Sequence, residues 1–356
     1  MNRDTTSIAV ITIWFGTLPE YFRGWLLSVS HNPSIQFIFL TDCAGEAFEI
    51  PDNMMWIETT PEHLRARFSS VLNRKVSFQS PMKFCGLRPI YGLAFSDLLN
   101  GYDFWGYCDI DLAFGDIRKF VTQHVLENYD RVYTRGHFNL YRNSDKINHL
   151  FELKGSIYSI EDVATGEFNF AFDEFLGINR ICIKNRDYVR WYTDADFAEC
   201  NYRSKYIELL FPHKNYDNQL FWWEDGCVYQ SGIDEKGNIV SCEYVYLHWR
   251  HKLPSDVDII TGNTNGFYIT EQGLKVKRDK GAPSRELLLR NHDPIEANKN
   301  NKEGSWRMGH KISTFIQLPS RRKLLRIKEL YCALFDENPP YNDYRHVVFP
   351  RGRYVG

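Results

Sequence analysis

Two aspartates, Asp109 and Asp111, end an aromatic stretch that runs from Phe104 to Tyr107 and has the character of a buried strand. In an open α/β sheet, ligands bind at the carboxyl ends of the strands. Two hard oxygen ligands favour Mg²⁺ or Mn²⁺ over zinc. The pattern therefore predicts a metal or diphosphate site; the alternative is an acidic turn that caps a helix at Ile117.

The Asp-x-Asp spacing alone is weak evidence, because the chain also contains Asp194-Ala195-Asp196 and Asp256-Val257-Asp258. Only the first copy follows a strand-like aromatic run. Only that copy is followed by Gly115, which allows a backbone to approach a ligand closely. The context therefore favours Asp109 and Asp111.

A second candidate is the adjacent pair Asp173 and Glu174, which lies among aromatic residues. Burying a carboxylate in apolar surroundings costs free energy, so that a buried pair indicates a functional role. We predict acid–base chemistry for this pair, with Asp173 ahead of Glu174. The alternative is the first turn of a helix, where acidic side chains are favourable.

A third candidate follows the apolar run from Tyr244 to Leu247, where imidazoles and cations cluster. A lone histidine is more often structural than a ligand, but a cluster at the end of a strand favours a site. The cluster consists of His248, Arg250, His251 and Lys252.

The elements that position these residues begin with a β-α-β unit. Strands are predicted over Ile8–Trp14 and Ile35–Leu40, with a helix over Glu20–Ser30 between them. Asp42 follows the second strand, where a carboxylate often meets a base or ribose; a turn cap is the equal alternative. Further predictions are a strand over Met54–Ile57, a helix from Pro61, a helix over 81–99 kinked at Pro89, a helix from Asp116 to about Leu126, strands over 131–134 and 137–141, and a hairpin of 228–231 with 239–242.

Lys83 and Arg88 precede the Asp-x-Asp strand in sequence, so that either could reach a phosphate at the edge of the sheet. The alternative is that both are solvated helix charges.

Charge divides the chain unevenly. Residues 271–356 hold 18 Lys and Arg against 10 Asp and Glu, whereas the first 270 hold 25 against 35. We predict a main domain over 1–270 and a basic C-terminal extension over 271–356. Within it, an amphipathic basic helix near 318–335 could lie on an anionic membrane surface or pack on the body.

Composition excludes several classes of protein. Mean hydropathy is -0.43 and no apolar run approaches the roughly 20 residues of a spanning helix. Eight scattered cysteines without a CxxC pair favour a reducing cytoplasm, and the first residues lack the apolar stretch of a signal peptide. The acidic main body argues against nucleic-acid binding.

Taken together, these residues resemble a known family. The chain is similar to bacterial glycosyltransferases of the GT-A fold, of the type that occurs in capsule and O-antigen gene clusters. The resemblance rests on Trp14-Phe15-Gly16, on Thr41-Asp42, on the stretches 81–92 and 136–143, on Phe172-Asp173-Glu174 and above all on the stretch 102–111. It covers roughly residues 7–255.

The resemblance implies an α/β fold with a GT-A-like, Rossmann-like mixed sheet flanked by helices, followed by the basic helical extension. It implies a nucleotide-sugar donor and a glycan or lipid-linked glycan acceptor. Asp109 and Asp111 would bind a divalent metal, with His248 as third ligand. The donor would contact Phe15, Gly16, Asp42, Lys83, Arg88, Asp109, Arg250 and Lys252.

The chemistry of transfer fits these residue types. A metal acts as a Lewis acid on the departing diphosphate, and nearby cations stabilise its charge. An inverting enzyme needs a base, for which we predict Asp173; in a retaining enzyme Asp173 would orient the acceptor. His137, Tyr141 and Trp249 are candidates for sugar contacts, with core packing as the alternative.

Two other functions compete. A nucleotidyltransferase acting on sugar phosphates also needs an acidic pair and a metal, but the chain has no convincing Gly-rich phosphate loop near its N-terminus. A non-catalytic carbohydrate-binding protein would suit the aromatic content, but it needs no paired carboxylates beside a basic cluster.

Overall fold

The computed structural model describes residues 5–167, 169–201, 207–210, 212–249 and 260–291, together with five residues between 324 and 331. In this part of the chain the strands are β1 Ile8–Trp14, β2 Ile35–Thr41, β3 Met54–Glu58, β4 Phe104–Cys108, β5 Leu112–Phe114, β6 Arg131–Val132, β7 Phe138–Arg142, β8 Trp191–Tyr192, β9 Ala198–Glu199, β10 Gln219–Glu224, β11 Cys227–Ile233, β12 Ile239–Tyr244, β13 Tyr246–His248, β14 Gly266–Thr270 and β15 Gly273–Val276. The helices are α1 Phe22–Ser30, α2 Pro61–Leu72, α3 Lys83–Gly86, α4 Tyr91–Ala94, α5 Ile117–Phe120, α6 Gln123–Asn128, α7 Asp145–Asn148, α8 Ile160–Thr165, α9 Arg180–Lys184 and α10 Arg285–Arg290.

The central sheet is mixed. Its strand order is β3-β2-β1-β4-β7-β6-β8 among the described residues. Strands β1 to β4 run parallel to one another, whereas β7 is antiparallel to β4. The predicted α/β class, with a mixed sheet flanked by helices, is confirmed.

The sheet separates two apolar cores. Successive side chains of a strand point to opposite faces, so that Ile8 and Val10 pack in one core, and Ala9 and Ile11 in the other. Helix α1 covers the first core with the fully buried side chain of Trp25. Burying one such large side chain stabilises the fold by roughly 1.5–3 kcal/mol, so that many buried positions together fix the sheet that carries the site.

The β-α-β unit agrees with its prediction, and Thr60 caps α2 through the backbone N–H of His63. Other bounds differ. The single helix predicted over 81–99 is broken into α3, a 3₁₀ turn at Arg88–Ile90 and α4, because Pro89 has no N–H to continue the helix. The helix predicted after Asp116 is split into α5 and α6, with Thr122 capping α6.

Strand β6 ends at Val132, earlier than predicted, because Tyr133 has a left-handed backbone with φ of +71°. A bulky residue in this region is strained, and such strain persists only where the surroundings hold it. The change of direction begins the loop of residues 133–137, which borders the candidate site.

A second sheet has the order β12-β11-β10-β14-β15 and is antiparallel throughout, with the predicted hairpin at β11 and β12. Strand β15 lies after residue 270 and pairs with β14 before it, so that the first described part of the extension continues this sheet. The division into domains at 270 stays a prediction. The described residues between 324 and 331 are helical, and Leu325 packs in the second core.

A third sheet, of order β5-β13-β9, has three short strands from distant parts of the chain. Strand β13 is antiparallel to β5 and parallel to β9. This sheet carries the residues that complete the site. Among the described helices, none is both long and apolar enough to cross a membrane.

Candidate metal centre and active site

The site is built first by the junction of β4 and β7. Because these strands are antiparallel, the carboxyl end of β4 meets the start of β7, and Cys108 pairs with Phe138. The backbone N–H of Asp109 therefore donates to the carbonyl of His137 at 3.0 Å. This pairing holds the first aspartate beside the loop of residues 133–137.

The third sheet then brings His248 to the aspartates. The register pairs His248 with Leu112, and the N–H of Trp249 donates to the carbonyl of Asp111 at 3.0 Å. His248 Nε2 lies 3.2 Å from Asp111 Oδ1 and 3.8 Å from Asp109 Oδ2. One ligand atom from each of the three residues lies within 4.8 Å of the others. The structure thus brings together the three residues predicted as metal ligands.

The charges of the site act on His248. Burial lowers its pKa, but the neighbouring carboxylates of Asp111 and Asp109 outweigh that effect, and the net result is a raised pKa. Burial raises the pKa of Tyr21, and the same two carboxylates raise it further; the Tyr21 ring packs edge-on against Trp249. The aspartate pair is therefore a concentrated negative charge in a poorly solvated place, which attracts a cation.

Arg88 spans the site with its planar fork. One nitrogen donates to Asp109 Oδ1, and the other donates to Asp173 Oδ2 at 3.2 Å and to the carbonyl of Gly136 at 2.9 Å. The guanidinium also stacks over Tyr107, 5.3 Å from the ring centroid. Arg88 is buried, so that the alternative of a solvated helix charge does not describe it.

Asp173 and Glu174 directly precede a kinked helical segment at Phe175–Asn179, in which Gly177 has non-helical backbone angles. Glu174 Oε1 accepts a hydrogen bond from the N–H of Gly136 at 2.7 Å. Burial raises the pKa of Asp173 to about 7; the charge of Arg88 opposes this shift, and Glu174 and Asp109 add to it. A carboxyl group with this pKa can take or give a proton near neutral pH.

A cavity of about 540 Å³ opens onto these groups. Its volume falls within the roughly 300–1,000 Å³ typical of small-molecule sites. The predicted site residues in its wall are Phe15, Arg88, Asp109, Asp111, Asp173 and Glu174. A cavity of about 710 Å³ lies at the other end of the strands, beside Ser7 and Ile35, and contains none of the predicted site residues among its described lining residues.

A second layer of polar residues lies behind His248. The ring of His137 stacks on that of His248, with 4.0 Å between centroids, and its Nε2 lies 3.6 Å from Glu199 Oε1. Arg135 Nε lies 3.1 Å from the other oxygen of Glu199. His137, Glu199 and His248 are also close enough to hold a cation. They suit one less well than the aspartates do, because this set offers one carboxylate instead of two and that carboxylate is paired with Arg135.

The residues predicted to contact the donor occupy different places. Phe15 is in the cavity wall. Gly16, with φ of +87°, donates its N–H to Asp42 Oδ1 at 2.8 Å, so that Asp42 closes the loop after β1. Lys83 is directed elsewhere: its Nζ donates to the carbonyl of Gly166 at 2.8 Å, and burial lowers its pKa to about 8.

The three aromatic candidates for acceptor contacts are all buried. Tyr141 stacks on Trp105 with 4.5 Å between centroids, Trp249 packs against Tyr21, and His137 contacts His248. None of the three lines the 540 Å³ cavity among its described lining residues. Their burial supports the alternative of core packing. Arg250, His251 and Lys252 lie outside the described residues.

Sequence reasoning missed three contributors to this site. Gly136 enters only as part of the stretch 136–143 on which the resemblance rests, and nothing in the sequence around Arg135 or Glu199 marks either residue as part of a site. Glu199 lies in β9, which is far from β13 along the chain, so that no local pattern signals the pairing of these two strands. The Gly that joins two predicted strands next to a histidine was the one available hint.

Comparison with solved structures gives weak likenesses. The glycosyltransferase GlyE of Streptococcus pneumoniae TIGR4 has a TM-score of 0.29 at 14% identity, over 54% of this chain and 46% of that one. A glycosyltransferase involved in glycosylation of the major capsid of PBCV-1 has a TM-score of 0.30 at 8% identity, over 55% of this chain and 85% of that one. The chain thus spans under half the length of GlyE. No curated protein sequence matches the chain.

A family model gives the broader match. It covers residues 10–278, which include the central sheet apart from Ile8 and Ala9, the Asp-x-Asp strand, Asp173, Glu174 and His248. This is most of the chain and all of the candidate site. The chain belongs to the family described as "Family of unknown function (DUF6625)".

Proposed function

We propose that this protein is a metal-dependent glycosyltransferase that moves a sugar from a nucleotide-sugar donor to a glycan acceptor in the synthesis of a cell-surface polysaccharide, such as capsule or O-antigen. One observation carries the proposal. Asp109, Asp111 and His248 have ligand atoms within 4.8 Å of one another at the carboxyl end of β4, and the two aspartates line a cavity that Asp173 also lines.

The three residues fit a divalent cation by their chemistry. Two carboxylates and one imidazole form an oxygen-rich set, which suits Mn²⁺ or Mg²⁺. Asp111 and His248 are buried, so that the negative charge of Asp111 is poorly screened by water and an imidazole nitrogen lies beside it. When bound, the metal would neutralise the negative charge that develops on the departing nucleoside diphosphate.

The protein's own groups would bind and orient the reactants. Phe15 offers an aromatic face in the cavity wall, and the loop closed by Gly16 and Asp42 borders the first two strands. Lys83 and Arg88 are engaged by protein groups in this structure, so that a contact with phosphate would require either side chain to leave a partner. Arg250 and Lys252, which follow His248 in sequence, remain the proposed cations for the diphosphate.

Asp173 is the proposed base for an inverting reaction. It lies in the cavity wall, and burial brings its pKa to about 7, where a carboxylate can accept a hydroxyl proton. A positioned base contributes roughly 10²–10⁴-fold to the rate. In a retaining reaction the same carboxylate would instead orient the acceptor. Glu174, held by Gly136, would support it.

The extension suggests where the reaction occurs. Leu324, Ile327 and Tyr331 are 55%, 54% and 62% exposed, whereas Leu325 between them is 6% exposed. The sequence there also contains Arg321, Arg322, Lys323, Arg326 and Lys328. Apolar side chains exposed on a basic helix favour an anionic membrane surface. We therefore infer a cytoplasmic enzyme, held at the inner face of the plasma membrane through residues 318–335, with a lipid-linked acceptor.

The membrane proposal is tested by flotation of the full chain with vesicles that contain or lack anionic lipid. Binding that needs anionic lipid, weakens with salt and is lost on deletion of 318–356 supports it. A triple change of Leu324, Ile327 and Tyr331 to Ser should weaken binding while the basic residues remain. Equal recovery with neutral vesicles, or none with either, refutes it.

The Asp111→Ala variant distinguishes the glycosyltransferase from its rivals. A transferase should lose metal-dependent hydrolysis of its donor, whereas a carbohydrate-binding protein should keep its affinity for sugar. A nucleotidyltransferase would instead release pyrophosphate from a nucleoside triphosphate and a sugar phosphate, a reaction that the same purified protein can be tested for directly.

A further inference from the structure

We propose that Arg88 is an internal cation that competes with the divalent metal for Asp109 and that, once displaced, holds Asp173 alone. The inference rests on the proposed metal site. It assigns Arg88 a role different from a contact with the donor phosphate. In this role Arg88 lowers the affinity of the site for the metal.

The geometry places Arg88 between the two halves of the site. Its fork reaches Asp109 Oδ1 on the metal side and Asp173 Oδ2, at 3.2 Å, on the side of the proposed base. Asp109 is also one of the three candidate ligands. A guanidinium nitrogen and a metal ion both require the lone pairs of Asp109, so that each weakens the binding of the other.

The remaining contacts of Arg88 do not involve the metal ligands. The same nitrogen that meets Asp173 also donates to the carbonyl of Gly136 at 2.9 Å, and the guanidinium stacks on Tyr107. Pro89 follows at once and restricts the backbone. If Asp109 turns to a metal, Arg88 therefore keeps three of its four contacts and can remain in place.

Charge strengthens the argument. The cavity wall contains four carboxylates, Asp109, Asp111, Asp173 and Glu174, and Arg88 is the one guanidinium among its described lining residues. Arg88 is buried, and its charge is therefore poorly screened by water. Removal of this charge frees Asp109 and makes the wall more negative, and both effects favour a divalent cation.

The test measures Mn²⁺ affinity of the full chain without any nucleotide, by electron paramagnetic resonance of free Mn²⁺. Arg88→Met keeps the length of the side chain and removes its charge, and we expect it to bind Mn²⁺ about tenfold more tightly than the wild type, or better. A contact that serves only the donor phosphate predicts unchanged Mn²⁺ affinity and weaker nucleoside diphosphate binding. Unchanged or weaker Mn²⁺ affinity in this variant overturns the proposal.

Arg67→Met is the matched control. Arg67 also has a carboxylate partner, Asp97, a backbone carbonyl, that of Ala94, and an aromatic ring, that of Phe95, but none of them lies in the site. We expect wild-type Mn²⁺ affinity in this variant. Tighter binding there would mean that a general change of charge, rather than release of Asp109, explains the effect, and would also overturn the proposal.

Arg88→Lys serves if Arg88→Met does not fold. A single ammonium cannot span both carboxylates, and we expect Mn²⁺ affinity above that of the wild type; an equal or lower affinity overturns the proposal. Donor hydrolysis separates this inference from the proposed function. If the Arg88 variants bind Mn²⁺ more tightly but no nucleotide-sugar is hydrolysed, the role of Arg88 as the competitor is supported and the proposed glycosyltransferase function is contradicted. Donor hydrolysis by a wild-type protein that binds no Mn²⁺ would overturn the role of Arg88 as the competitor and would leave the transfer reaction supported.

Discussion

Nε2 of His248 lies 3.2 Å from Oδ1 of Asp111, although 137 positions separate the two residues along the chain. The contact depends on the antiparallel pairing of β13 with β5, which sets His248 opposite Leu112. A carboxylate pair at the end of one strand thereby gains a neighbouring imidazole from a late strand.

Asp111→Asn should reduce metal-dependent donor hydrolysis by at least about 100-fold, because the variant loses a charged ligand that no neighbour replaces. The measurement is steady-state hydrolysis at saturating Mn²⁺. Asp194→Asn is the control, since Asp194 belongs to another Asp-x-Asp tripeptide and is exposed. Equal losses in both variants would remove the special role of Asp111.

His248→Gln should weaken Mn²⁺ binding by roughly 10–100-fold while the protein stays folded. In the proposed metal centre the imidazole is the third ligand, and an amide would be a poorer donor to the metal. Titration calorimetry without nucleotide measures this effect apart from catalysis. Wild-type affinity in this variant would leave only the aspartate pair as ligands.

Asp173→Asn should slow transfer by roughly 10²–10⁴-fold and leave donor binding unchanged. The amide keeps the shape of the side chain but cannot accept the acceptor proton. Donor affinity and turnover are measured on the same preparation. Near-normal turnover would contradict the role of Asp173 as the base.

The pH profile gives an independent test of Asp173. Burial raises its pKa from 3.8 to about 7, and a base acts only when deprotonated, so that transfer should increase as the pH rises through about 7. Stability should change in the opposite direction. The folded protein holds this proton more tightly than the unfolded chain, so that the stability due to this group is present below pH 3.8 and is lost as the pH rises through about 7. Asp173→Asn should remove both trends, and an unaltered profile in that variant would assign them to another group.

Gly136→Ala should cause a large loss of activity and only a modest loss in the free energy of unfolding. A Cβ at this position would lie 2.8 Å from Asp173 Oδ2 and 2.8 Å from Glu174 Oε1, so that both carboxylates would have to move. Overpacking of this kind costs about 1–3 kcal/mol. Gly237→Ala is the control, because Gly237 has φ of +80° with open space around it, and it should lose stability but keep its activity. Full activity of Gly136→Ala would mean that the carboxylates need no exact placement.

Sequence patterns were sufficient for the parts of the molecule that depend on neighbours along the chain. The β-α-β unit follows from the periodicity of apolar residues, and the start of α2 follows from a proline at its first position. The Asp-x-Asp pair could be selected by its context. Local patterns also identified the hairpin of β11 and β12, because its turn is short.

Pairings between distant strands were beyond those patterns. Glu199 meets His248 only through the parallel pairing of β9 with β13, and nothing near Glu199 in sequence signals this contact. The fork of Arg88 joins Asp109 to Asp173 across two loops, so that its role depends on tertiary structure. The positive φ of Tyr133 shortened a predicted strand for the same reason, since the surroundings and not the residue type impose it.

The most direct test of the central claim is donor hydrolysis by the purified wild-type protein across a panel of nucleotide-sugars, with Mn²⁺ and with EDTA. Thermal unfolding of the same samples reports binding. We predict that Mn²⁺ together with one class of nucleotide-sugar raises the unfolding temperature and yields slow hydrolysis, and that EDTA abolishes both. Neither stabilisation nor hydrolysis with any donor, with or without metal, would contradict the assignment of Asp109, Asp111 and His248 as the metal centre of a glycosyltransferase.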